Sequence, residues 1–99
     1  QGTMNRKEIL EKAESLVNGP RAQDYGDAYD NHERIANMWS VLLGTNVSVS
    51  QVYQCMVAVK LARLIVTPDH EDSWIDICGY GALGGEGNGL TDGDVRTKK

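Results

Sequence analysis

Ninety-nine residues set the limit at one domain, and a net charge of −4, with 10 Lys and Arg against 14 Asp and Glu, supplies no basic surface for duplex nucleic acid. A local cationic pocket for a small phosphate is compatible with that balance, because global charge and local site are independent. No stretch joins a basic start, an apolar run and a small-residue cleavage site, and Lys60 and Arg63 interrupt the longest apolar run, so the expectation is a cytoplasmic protein without a membrane partner.

Gln1, Gly2 and Thr3 ahead of Met4 have the form of a protease and cloning scar, and the natural chain is expected to begin at Met4. Asn5 and Glu8 stand at the N-cap and N3 positions of a capping box. Ile9, Leu10, Ala13, Leu16 and Val17 follow at helical spacing, which predicts a first helix from about Arg6 to about Val17. Asn18, Gly19 and Pro20 end it, since Gly accepts a left-handed cap and Pro cannot continue the ladder. The loop from Arg21 to Asp27 is rich in hydrogen-bonding side chains and carries Tyr25, an aromatic that favours cover. It reads either as a connector that packs Tyr25 on the helices or as a flap that brings Asp24, Tyr25 and Asp27 over a site.

Asp27 or Asp30 can cap a second helix that reaches about Leu43, with Ile35, Met38, Trp39, Leu42 and Leu43 as its apolar face and Gly44 as its stop. His32 and Glu33 near its start lack the i, i+4 histidine partner of a helical zinc motif. A Ser48–Gln51 capping box opens the third helix, in which the apolar residues from Val52 to Val66 cover nearly the whole circumference and predict a central, buried element. Thr67 and Pro68 end it. Asp69 or His70 begins a fourth helix, on which Asp72, Asp76 and Tyr80 form one stripe while Trp74, Ile75, Cys78 and Ala82 form another that can face the core. This helix is expected to stop near Gly84 and Gly85.

The glycine-rich, polar residues 87–99 bury too little surface to offset their ordering entropy and read as a disordered tail. Cys55 and Cys78 sit at apolar helical positions without CxxC spacing, which reads as buried thiols. The architecture expected is therefore an all-α, four-helix bundle-like domain over 4–86, with a buried third helix and a flexible C-terminal tail.

Lys60 and Arg63, three apart, share one side of the third helix, and two cations in an apolar helix need anions. Asp72 and Asp76 supply them. Three readings of this group stay open. An internal ion-pair network can fix helix register in a non-catalytic structural or protein-interaction domain. Asp72 and Asp76 can instead hold Mg²⁺ over a phosphate, with Glu33, Glu71, Asp24 and Asp27 as further ligand candidates and the cations neutralising phosphate charge. Or a nucleotide binds without cleavage, its base stacked on Tyr25, Trp39 or Trp74. The ligand-binding set is Asp24, Tyr25, Asp27, His32, Lys60, Arg63 and Tyr80, and the metal set is Asp72 and Asp76. A homodimer with Trp39 or Trp74 at the contact is also expected of so small a core.

The run RAQDYGDAYDNHERIANMWS, followed by VKLARL and then DSWIDICGYGALGGE, resembles a family of small all-helical phage and prophage proteins of uncharacterised function, over most of Glu8 to Glu86. That resemblance implies action in a bacterial host cell. The order of elements is also similar to the MazG-like all-α nucleoside triphosphate pyrophosphohydrolases, which implies nucleotide substrates and Mg²⁺. Those enzymes carry a Glu-x-x-Glu pair on one helix and a Glu-x-x-Asp pair on the next. Here the first pair is missing, with Lys60 and Arg63 in its place, and the second is matched only loosely, by Asp72 and Asp76, or by Ser73 and Asp76 at the stricter spacing with serine in place of glutamate. Fold analogy alone does not carry activity across.

Overall fold

A computed structural model describes residues 4–20 and 28–90, the side chains of 88–90 excepted. Among the described residues the chain forms α1 (Arg6–Asn18), α2 (Ala28–Leu43), α3 (Val49–Val66) and α4 (Glu71–Leu90), the all-α architecture that the apolar spacing predicts.

Local chemistry sets most of the boundaries. Glu8 N–H donates to Asn5 Oδ1 and Asn5 N–H to Glu8 Oε1, each at 2.9 Å, closing the first capping box. Gln51 N–H donates to Ser48 Oγ at 3.1 Å and Ser48 N–H to Gln51 Oε1 at 2.9 Å, closing the second. Gly44, at φ +68°, supplies the left-handed residue that ends α2, and its N–H reaches Ser40 O at 3.0 Å. Ser40 Oγ then donates to Ala36 O and accepts from Val47 N–H, both at 2.8 Å, which pins the link into α3. His70 precedes α4, and Ser73 N–H reaches both its carbonyl at 3.1 Å and its Nδ1 at 3.2 Å. Met4 N–H donates to Glu71 Oε2 at 2.8 Å, tying the start of α1 to the start of α4.

The third helix is central: it packs against α2 on one flank and along α4 on the other, while α1 packs on α4. Val52 is fully buried, and with Ala36, Val49 and Tyr53 it forms a small core surrounded by Tyr29, Ile35, Trp39, Val47, Met56, Tyr80 and Leu83.

Burial of α3 is one-sided, however, and this departs from the expectation that apolar residues all around the helix are covered. Both neighbours of α3 lie on the side of Val49, Val52, Tyr53, Met56 and Leu64. The opposite side leaves Leu61 48% and Ile65 83% exposed. By length and composition alone Val49–Val66, with a mean hydropathy of 1.3, is long and apolar enough to cross a membrane.

Four further expectations are corrected. Met38, Leu42 and Leu43 of α2 are exposed, because only the Ile35, Ala36 and Trp39 side of that helix meets the core. Cys55 is an exposed free thiol on the outer side of α3, while Cys78 is free and half-buried. Trp74 is exposed and donates its indole N–H to Pro68 O at 3.0 Å, and Ala82 is exposed as well, so Ile75 is the deeply buried member of its stripe.

The fourth correction concerns the end of α4, which continues past Gly84 and Gly85 to Leu90. Glycine there serves packing. A Cβ at Gly84 would lie 3.3 Å from Tyr53 Cβ and one at Gly87 3.3 Å from Tyr53 Cε2, so the missing side chains let α4 lie directly on the buried tyrosine. Residues 91–99 of the expected tail lie outside the described residues.

Candidate functional site

Helical spacing on two elements builds the site. Ala28, His32, Ile35 and Trp39 follow one another at i, i+4, i+7 and i+11 on α2, and Asp76, Gly79, Tyr80 and Leu83 do so at i, i+3, i+4 and i+7 on α4, so each set forms one stripe. The two stripes face a cavity of about 520 Å³, closed on the remaining sides by Leu16 and Val17 of α1 and Met56 of α3. Close approach of α1 depends on Gly79, where a Cβ would stand 3.3 Å from Val17 Cγ1.

Ile35, Trp39, Met56 and Leu83 give the cavity an apolar and aromatic lining. Asn31, His32, Asp76 and Tyr80 give it polar groups. His32 is held on several sides. Its Nδ1 is 2.8 Å from Ala28 O, and since a carbonyl only accepts, Nδ1 carries the proton, which in the neutral ring leaves Nε2 its lone pair. Its ring lies 4.5 Å from the Tyr53 ring centroid and 6.2 Å, edge-on, from that of Tyr80. A rigid acceptor with a fixed tautomer results.

Asp76 Oδ2 is 3.1 Å from Lys60 Nζ, and both side chains are largely buried, at 28% and 16% exposure. This pair joins α3 to α4 beside the cavity. Arg63 and Asp72 do not take part. The Arg63 guanidinium lies instead 3.3 Å from His70 Nε2, and His70 Nδ1 is 2.7 Å from the hydroxyl of the fully buried Ser73. The expected meeting of two cations with two carboxylates thus reduces to Lys60 with Asp76, because Arg63 turns towards the α3–α4 link. Asp72, one turn before Asp76, is exposed and does not line the cavity.

Of the residues singled out in the sequence, the fold brings together His32, Asp76 and Tyr80, with Lys60 bonded to Asp76. Asp24, Tyr25 and Asp27 lie outside the described residues. Among the described residues no group of three or more His, Cys, Asp or Glu could hold a metal ion, and Asp76 is already engaged by Lys60, so no step is derived through Mg²⁺. Sequence reasoning missed Asn31, Met56, Gly79 and Leu83. The signal for two of them, Gly79 and Leu83, was present in the α4 stripe, which carries apolar and polar residues at one helical spacing.

The fold and this site define a small all-α domain with a half-open, aromatic-lined cavity rimmed by polar side chains. The chain belongs to the family described as "Domain of unknown function (DUF6378)", whose model matches residues 8–88. It is similar to the "Gene 55 protein" of Mycobacterium phage L5, with 43% identity over 76 residues, covering 76% of this chain and 49% of the relative. It is also similar to the "Gene 55 protein" of Mycobacterium phage D29, with 38% identity over 72 residues, covering 73% of this chain and 48% of the relative. The chain spans about half the length of these curated relatives. No solved structure matches it at a significant level. The resemblance to small helical phage proteins is therefore shown.

Proposed function

We propose that this protein binds a nucleotide or nucleotide-like phosphate in the cytoplasm of a bacterial host, with the base held in the cavity between α2 and α4. The observation that carries the reading is the pairing of Trp39 and Tyr80 with Asn31, His32 and Asp76 around one cavity of about 520 Å³. Planar heterocycles need that combination: apolar and aromatic walls for the ring faces and a few fixed donors and acceptors for the ring edge. His32 Nε2 and the Asp76 carboxylate accept, and the Asn31 amide can do either. Among the described residues no Lys or Arg side chain lines the cavity, so in this reading the phosphates lie at its opening, with Lys60, bonded to the lining residue Asp76, as the nearby cation. Binding without turnover is the favoured form. Mg²⁺-dependent pyrophosphohydrolysis enters as one arm of the test.

That test is a ¹H–¹⁵N NMR titration with nucleosides and nucleoside mono-, di- and triphosphates, with and without Mg²⁺, followed by an assay for released pyrophosphate. Saturable shifts confined to His32, Trp39, Asp76 and Tyr80 are expected. Absence of shifts at millimolar ligand would overturn the reading. Pyrophosphate release that ends in Asp76→Asn with the fold intact would replace binding by hydrolysis.

A second reading is favoured by the Lys60–Asp76 distance of 3.1 Å. In it the pair is an internal fastener of α3 to α4, and the domain is a structural or protein-interaction module.

A further inference from the structure

Helix α3 keeps its charges on the side that meets the following segment. Lys60 is largely buried against Asp76, and Arg63, itself exposed, lies 3.3 Å from His70 Nε2. The outer half runs through Gln51, Gln54, Cys55, Ala58, Leu61, Ala62 and Ile65 at 3–4 residue spacing, with Val59 and Val66 at its flanks, and carries no charge from one end to the other. Val59 and Leu61 are about half exposed, and Ile65 and Val66 each 83% exposed. A helix at the centre of a water-exposed domain places its charges outward. This one turns both towards the α4 side and leaves its outer half without charge.

The four large side chains expose on the order of 450 Å² of apolar surface, within the range in which the largest patch of a monomer is commonly a contact site. Two copies meeting there would cover roughly 900 Å² from these residues alone. Cys55, Ala58, Ala62 and the glutamines then bring the total close to the ~1,200 Å² at which specific, stable interfaces begin. Ala58 and Ala62 on the midline keep the face low, so that two helix axes can approach to about 8 Å. The absence of charge removes the like-charge repulsion that a face meeting its own copy across a two-fold axis otherwise suffers, since each residue there is opposed by the same set.

We infer that the outer face of α3 is the interface of a homodimer, in which α3 of one copy packs against α3 of the other about a two-fold axis. The inference is independent of the ligand proposed for the cavity, which opens on the other side of α3 towards α2 and α4.

Sedimentation equilibrium of the full chain from micromolar to several hundred micromolar tests it. A species of twice the 10.9 kDa chain mass is expected, and a monomer throughout would overturn the inference. Ile65→Glu is expected to raise the dimer dissociation constant at least a hundredfold with the helical circular dichroism kept, whereas Met38→Glu, on exposed α2 surface, leaves it unchanged. A dimer untouched by Ile65→Glu would place the contact elsewhere and overturn the assignment. Should Ile65→Glu fail to fold, the unmodified chain still decides: the exposed Cys55 thiol should react with a bulky maleimide several times more slowly at high protein concentration than at low. A concentration-independent rate would sink the inference. So would a monomer that co-sediments with phosphatidylcholine vesicles, which would give the face to lipid.

Discussion

Lys60 Nζ lies 3.1 Å from Asp76 Oδ2, and the two side chains bridge the central helix to the helix that forms one wall of the cavity. Both are partly desolvated, so the loss of one partner strands a charge in a poor environment without reaching the cost of a fully buried pair.

Lys60→Met and Asp76→Asn are each expected to lower stability by about 1–2 kcal/mol in urea titrations, because solvent still screens part of the interaction. The double variant should lose less than the sum of the two, by about 0.5–1 kcal/mol. Strict additivity in that cycle would show that the pair contributes nothing to the fold.

Glycines of α4 provide a test of packing against propensity. Gly85 is exposed and a Cβ there meets nothing within 4 Å, so Gly85→Ala should stabilise by about 0.5–1 kcal/mol through helix propensity and reduced unfolded-state entropy. At Gly84 the new Cβ would stand 3.3 Å from Tyr53 Cβ, an atom fixed next to the backbone of a buried residue, and Gly84→Ala should lose that gain or turn destabilising. Thermal melts of the two variants decide it. Equal melting temperatures would mean that α4 does not lie on Tyr53 as described.

Most of what local chemistry controls was legible in the sequence, although Gly19 ends α1 in extended backbone, at φ −81°, and not in the left-handed cap expected of it. Both capping boxes, the Gly44 stop and the link at Thr67 and Pro68 follow from side chains within a few residues of the helix ends, and each stands where the pattern puts it. Lys60 and Asp76 could be paired on spacing and charge alone. The orientation of α3 could not, because a helix apolar on almost every side has no preferred inward face, and only the placement of α2 and α4 selects one. The glycine-rich end of α4 reads as a stop by propensity, yet Gly84 and Gly87 are there so that Tyr53 can be covered, a reason that only tertiary contact reveals. His32 had no partner in the sequence, since Tyr53 and Tyr80 reach it from other helices.

The Nδ1 proton of His32 should be visible directly. Because Nδ1 donates to Ala28 O, imidazole ¹⁵N shifts at neutral pH are expected to report the Nδ1–H tautomer, against the Nε2–H form usual for free histidine. His32→Ala should cost about 1–2 kcal/mol from the lost hydrogen bond and ring contacts. An Nε2–H spectrum would remove the fixed acceptor from the site.

Capping offers a comparison of two ends of the chain. Ser48→Ala should cost about 1 kcal/mol, since Ser48 caps the central helix and the whole core depends on α3. Asn5→Ala breaks an equivalent bond in the exposed first turn of α1, which lies outside the core around Val52, so its effect on global unfolding should be about half as large. Amide exchange of the first turns of α1 and α3 separates the two. Equal protection of both would contradict the ranking.

The cavity makes its own prediction about which part of a nucleotide it reads. Trp39, Tyr80, Ile35 and Leu83 offer contact area and Asn31, His32 and Asp76 offer hydrogen bonds, but among the described residues no Lys or Arg lines the space. Base contacts then supply most of the binding energy, with stacking on an aromatic worth about 1–3 kcal/mol, while a phosphate at the opening gains only the partly screened attraction of a lysine already bonded to Asp76. A nucleoside and its triphosphate should therefore bind within about tenfold of each other, and ribose 5-phosphate far more weakly than either. Asn31→Ala should weaken nucleoside binding by about 1 kcal/mol, the net worth of one hydrogen bond, and leave the melting temperature nearly unchanged. Ribose 5-phosphate binding as tightly as the nucleotide would show that the site reads phosphate, and the cavity would then be no base pocket.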